Sequence, residues 1–145
     1  MQNEFLRHTI ATIKYRFDKS ISDSKENFGE FSLGKGSRSP IEIINHMYHV
    51  LHSTRTFLKE EKFDTEQPTK LTLGAEIERF NEELIKTDNA LDTNELPVPY
   101  AKKLLQGPFS DILTHIGQLA MLQRLNDKPI QGEDFSQANV DTGMN

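Results

Sequence analysis

Asp111 and His115 stand four residues apart in the stretch Asp111-Ile112-Leu113-Thr114-His115-Ile116-Gly117-Gln118-Leu119. On a helix that spacing points a carboxylate and an imidazole to one face, a turn apart. About 65 residues earlier, His46, His49 and His52 recur at steps of three on a second stretch with helical periodicity. Two packed helices carrying these groups can present two imidazoles and one carboxylate. That donor set suits Zn²⁺, Ni²⁺ or Fe²⁺ and leaves coordination positions open to water or substrate. The same residues also fit a plainer role, a hydrogen-bonded His–Asp pair that satisfies its own polar atoms and specifies the core. With residues set at roughly 100° intervals, His115 falls inside the apolar arc of its helix, and Asp111 and Gln118 lie at its border. His46 and His52 border opposite edges of their apolar stripe, and His49 sits near the middle of the polar face. Periodicity does not choose among the three. His8 is assigned no role.

The elements that must position these groups are all helical. A first helix is expected over about residues 3–20, with Phe5, Leu6, Ile10, Ile13 and Phe17 as its apolar positions. A Gly/Ser-rich connection, 23–39, follows, with Phe28 and Phe31 expected to fold back onto the body of the protein. Ser39-Pro40-Ile41-Glu42 reads as a helix start, with Ser as cap, Pro at the first position and Glu three after the cap. The second helix is expected to run to about Lys59, burying Ile41, Ile44, Met47, Tyr48, Leu51 and Leu58. A polar connection, 62–70, contains Pro68. The third helix, about 72–91, uses Ile77, Phe80, Leu84 and Ile85, and its Glu76, Glu78, Glu82 and Glu83 read as a solvated charged face. Pro97 and Pro99 mark the next connection, and a short helix, 100–105, precedes Gly107-Pro108. The last long helix, about 109–125, turns Ile112, Leu113, Ile116, Leu119, Ala120 and Leu122 inward. An irregular tail, 129–145, has Phe135 as its anchor. Four long amphipathic helices in one chain imply an antiparallel-type helical bundle.

The bulk properties narrow the function classes. The 145 residues suggest one domain, 1–145, large enough for a hydrophobic core of its own. A net charge of −5 argues against a general nucleic-acid binder. With no cysteine, disulfides, thiolate metal sites and a Cys nucleophile are excluded. No apolar run approaches the roughly 20 residues of a membrane span. Met1-Gln2-Asn3-Glu4-Phe5-Leu6 lacks the charged and apolar regions of a secretory signal. The expectation is a soluble, cytoplasmic protein with no nucleic-acid or membrane partner. There is no GxSxG, P-loop, dinucleotide fingerprint or HExxH. Gly34-Lys35-Gly36-Ser37 lacks the spacing and preceding strand of a phosphate loop and reads as connector.

His115-Ile116-Gly117-Gln118-Leu119 resembles the final-helix signature of the DinB/YfiT-like superfamily, in which two His lie four apart and the second is followed by x-Gly-Gln. Met121-Leu122-Gln123-Arg124-Leu125, Pro129-Ile130 and Gly132-Glu133 resemble the ending of that family, and Ser39 to His46 resembles its second-helix start. The resemblance implies an all-α, DinB-like four-helix bundle with a short extra helix and an irregular C-terminal tail. It selects His46 over His49 and His52 as the third metal ligand. Asp111 stands where the family has the first His of the pair. The implied metal set is therefore His46, Asp111 and His115, holding zinc or nickel, with iron as a further candidate, or no ion if the substitution has cost the site. Gly117 is expected to permit close helix approach, and Gln118 to orient a ligand rather than bind the ion. The implied activity is metal-dependent transfer of a small thiol, or hydrolysis of a small molecule, with no catalytic residue assigned beyond the ligands. Without cysteine the chain cannot itself supply the thiol. The alternative is a non-catalytic, stress-associated binding module with a degenerate site. The expected partners are a small-molecule ligand and a second copy in a homodimer.

Overall fold

The computed structural model describes residues 1–62 and 66–144. Residues 63–65 of the expected polar connection and Asn145 of the tail lie outside the described residues. Among those described there are helices and no strands, so the protein is all-α. Helix α1 spans Glu4–Ser20, α2 Pro40–Glu60, α3 Leu73–Leu91, α4 Val98–Leu104 and α5 Ser110–Leu125. A π turn, Leu105–Phe109, joins α4 to α5, and a 3-10 turn, Phe135–Gln137, lies in the tail.

The start of α2 follows from its sequence. Ser39 Oγ accepts from the Glu42 amide at 3.3 Å, and the Ser39 amide donates to Glu42 Oε1 at 3.0 Å. Two otherwise orphaned donors are thereby satisfied reciprocally. Thr72 caps α3 in the same way, accepting from the Ala75 amide. The expected break at Gly107-Pro108 is absent. Pro108 has no N–H to donate, and the widened π turn absorbs that defect without ending the helical path. Ser110 Oγ donates to the Leu105 carbonyl there.

Around the bundle, α1 packs on α3 and α5, and α2 packs on the same two helices. Asn3 reaches the Leu91 carbonyl and Arg7 reaches Asp88, so α1 and α3 run antiparallel. Asn45 meets Glu76, and His52 meets Glu83 a full 31 residues apart in each case, so α2 and α3 run parallel. This departs from the antiparallel arrangement expected from sequence. The connection after α2 has 12 residues before α3 begins (61–72), which can span about 40 Å extended, more than the roughly 30 Å length of α2. It returns to the start of α2, where Asn45 Nδ2 donates to the Pro68 and Thr69 carbonyls. Arg38 and His46 meet His115 and Asp111 in reverse order, so α2 and α5 are antiparallel.

The core gathers Ile10, Ile13, Phe17, Ile44, Met47, Leu51, Phe80, Leu84, Phe109, Ile112 and Leu119. Phe17 and Phe80 meet edge to face at 4.7 Å between ring centroids. Phe28 folds back as expected and is fully buried, and Phe31 packs against the same core. Gly29 lets that loop close down. A Cβ there would stand 2.9 Å from Ile41 Cδ1 and 3.0 Å from Leu73 Cβ. Phe135 anchors the tail by an edge contact to Tyr15, with the Arg16 guanidinium over its ring.

Several expectations are corrected. Phe5 is 89% exposed and Ile85 41% exposed, so neither belongs to the core. Glu76 and Glu83 are buried, whereas Glu78 and Glu82 are exposed. The sequence shows one apolar stripe on α3, but α3 packs on both α1 and α2. Glu76 is taken up by Arg79, Asn45 and the Leu71 amide, and Glu83 by Arg55 and His52. Gly117 is exposed and has no atom within 4 Å of a built Cβ, so it mediates no close helix approach.

Candidate metal centre

Helix α2 carries His46 two turns inside its capped start, and α5 carries Asp111 and His115 on its first two turns. Because the two helices are antiparallel neighbours, the starts of their site-bearing turns meet. One donor atom from each of His46, Asp111 and His115 lies within 4.8 Å of the other two. The His46 and His115 rings are 4.6 Å apart between centroids, inclined at 49°. His115 is the most enclosed, with 10% of its side chain exposed, against 28% for His46 and 42% for Asp111. The donor set thus opens to solvent on the Asp111 side.

The hydrogen bonds define which nitrogens carry hydrogen. His46 Nε2 is 3.0 Å from Asp111 Oδ2, and the carboxylate only accepts, so Nε2–H donates. His115 Nδ1 is 2.7 Å from the Asp111 main-chain oxygen and donates to it. A main-chain acceptor of this kind fixes the tautomer and ring orientation of metal-binding histidines. His115 Nε2 is left as an acceptor, and the Arg38 guanidinium donates to it at 3.2 Å. His46 titrates below its ordinary value. Burial is the largest cause, the Asp111 hydrogen bond opposes it, and the Arg38 and His115 charges add to the lowering. A neutral imidazole is the form that ligates metal.

Beside this cluster lies a cleft of 850 Å³ in which His46 and Asp111 are wall residues. His49, Ser53 and Thr114 supply polar groups to it, and Val50 and Pro108 apolar ones. The π turn contributes Gln106, Gly107 and Pro108 to the rim. Among the described residues no lysine or arginine lines this cleft. A second, polar cleft of 310 Å³ on the other side of His46 holds Arg38, Gln67 and Lys70.

All three residues expected as metal ligands are therefore brought together. His52 is not: it packs against Glu83 on the α3 side of α2. His49 lines the cleft without belonging to the cluster. Gln118 is exposed and makes no hydrogen bond to His115 or Asp111 among the described residues. It lines a groove with Arg38 instead, so the orienting role expected of it is not what this geometry provides. Arg38 was missed from sequence because it precedes the helix and has no periodicity to place it. Its position next to the Ser39 cap, eight residues before His46, was the available signal.

Comparison with protein-family models, curated proteins and solved structures finds no match to this chain. No described helix is long and apolar enough to cross a membrane.

Proposed function

We propose that the chain is a DinB-like protein that holds one divalent ion at His46, Asp111 and His115 and acts on a small molecule in the adjoining cleft, as a small-thiol S-transferase. The observation that carries this is the convergence of three donor atoms within 4.8 Å, from helices distant in sequence, at the wall of an 850 Å³ cleft. The donor chemistry fits zinc or nickel, and iron less selectively. The ion would take the place of the hydrogen between His46 and Asp111, and that hydrogen would move to His46 Nδ1 in the other neutral tautomer. When bound, it would supply Lewis acidity that lowers the pKa of a thiol or of water.

The chain's own residues do the rest. The Asp111 carbonyl holds the His115 ring in one tautomer. Burial favours the neutral form of His46, from which a tautomer change would free the Nε2 lone pair for an ion. Asp111 supplies the one negative charge and faces the open side. Ser53 and Thr114 give the cleft hydroxyls that can orient a polar group, and Val50 and Pro108 give an apolar wall. The thiol arrives as a co-substrate, since the chain has no cysteine.

A second reading is favoured by one observation. Arg38 donates to His115 Nε2, the ring nitrogen that the Asp111 main-chain bond leaves free to ligate. A permanent guanidinium there describes a non-catalytic, homodimeric binding module whose metal site has been lost. The two readings separate on untagged protein. The first predicts about one metal equivalent per chain by elemental analysis and thiol-dependent consumption of an electrophile. Metal-free protein that takes up none on titration favours the second, and metal-loaded protein with no turnover across a thiol panel removes the transferase.

A further inference from the structure

Arg38 lies at the point where the metal-site reading is most constrained. His115 has two ring nitrogens, and Nδ1 is spent on the Asp111 main-chain oxygen at 2.7 Å. With that bond kept, the ring ligates through Nε2; Nδ1, 3.5 Å from Asp111 Oδ2, reaches an ion only if the main-chain bond breaks. Nε2 has one lone pair, and it accepts from Arg38 Nη1 at 3.2 Å. A lone pair cannot serve a guanidinium and a cation together. Charge sharpens the exclusion, because a divalent ion and a guanidinium repel at this separation wherever solvent is partly excluded. His115 has only 10% of its side chain exposed.

Resting on the metal-site reading, we propose that Arg38 is a built-in competitor for the ion: guanidinium and divalent metal are alternative occupants of His115 Nε2. The fold supplies what such an exchange needs. The backbone beside Arg38 is pinned by the Ser39 capping box, so the exchange is a side-chain rotation and leaves α2 in place. Arg38 is itself an exposed residue, and no ion pair holds it inward among the described residues. It has somewhere to go: it already lines the polar cleft with Gln67 and Lys70 and the groove with Gln118. Its inward position caps an imidazole that burial would otherwise leave with an unsatisfied acceptor. The metal-free centre is thereby completed by a residue of the chain, and Arg38 sets the affinity threshold above which metal enters.

The test is a Zn²⁺ titration of full-length, untagged protein with a competing chelator. It compares the parent, Arg38→Met and Arg38→Met/His115→Ala. Methionine keeps a long side chain but cannot donate a hydrogen bond. Arg38→Met is expected to bind Zn²⁺ about tenfold more tightly or better, on the scale of a charged hydrogen bond removed from the competing state. The gain is expected to vanish in the double variant. In parallel, the guanidinium resonances of Arg38 should shift on Zn²⁺ saturation of the parent, together with those of His115. Equal or weaker Zn²⁺ binding by Arg38→Met overturns the competition and leaves the metal site standing. So does a parent whose Arg38 resonances stay fixed while His115 moves. Binding by neither parent nor Arg38→Met overturns both the competition and the metal site.

Discussion

Replacing Glu83 with alanine should destabilise the protein by about 2–4 kcal/mol, a little under the roughly 3–5 kcal/mol of a fully buried ion pair broken by loss of one partner. The carboxylate has only 2% of its side chain exposed and serves two groups of α2. Arg55 donates to it through Nε at 2.5 Å and Nη2 at 3.1 Å, and His52 Nδ1 lies 2.8 Å away. Removal leaves the Arg55 guanidinium unpaired, with 17% of its side chain exposed. Because that exposure lets Arg55 turn partly toward water, the loss belongs at the lower end of the range. A chain of 145 residues unfolds with an entropy near 0.3 kcal/mol per kelvin, so each kcal/mol moves the melting temperature by about 3 °C. The expected fall is about 6–10 °C in a calorimetric or circular-dichroism melt. Glu82→Ala, on the exposed face one residue earlier, is expected to cost under about 0.5 kcal/mol and serves as the control. If Glu83→Ala melts within 2 °C of the parent, on the order of the control, the reasoning that this pair ties parallel α2 to α3 is refuted.

Ser39→Ala should cost about 1 kcal/mol through loss of the α2 cap, read as a lower urea midpoint with an unchanged slope. Adding an ion at about 100 times its dissociation constant should stabilise the parent by about 2.7 kcal/mol, and a chelator should reverse this. The gain should be absent in His115→Ala. In the metal-free protein His46 should titrate below 6.5 by NMR. The unfolded chain then takes up its proton first as pH falls, so stability should decline from about pH 6.5 down to the folded-state pKa and level off beneath it. His46→Gln should flatten that decline, and an unchanged slope would count against burial as the cause.

The elements were largely legible because local chemistry decides them. Ser39 with Glu42 places the start of α2 within a residue of where it occurs. The i,i+4 spacing of Asp111 and His115 was likewise sufficient to put both on one face of α5. What the sequence left dark is non-local. His46, His49 and His52 could be ranked only by resemblance, since the choice depends on which side of α2 faces α5. The parallel pairing of α2 and α3 depends on a returning connection, which no periodicity records. An acidic helical face looks the same in sequence whether water or an arginine meets it, which is why Glu76 and Glu83 read as solvated. Pro108 signalled a break, and the π turn removed the need for one. Arg38 sits on a connection, where neither angle nor stripe predicts a neighbour.

Binding of one ion by His46, Asp111 and His115 is tested most directly by locating the ion. Crystals of untagged protein grown with Zn²⁺ should give one strong anomalous peak between α2 and α5. His46, Asp111 and His115 should each place a donor atom about 2.0–2.2 Å from it. A peak ligated instead by His49 or His52, or none at full Zn²⁺ saturation with Arg38 still on His115, would contradict the account.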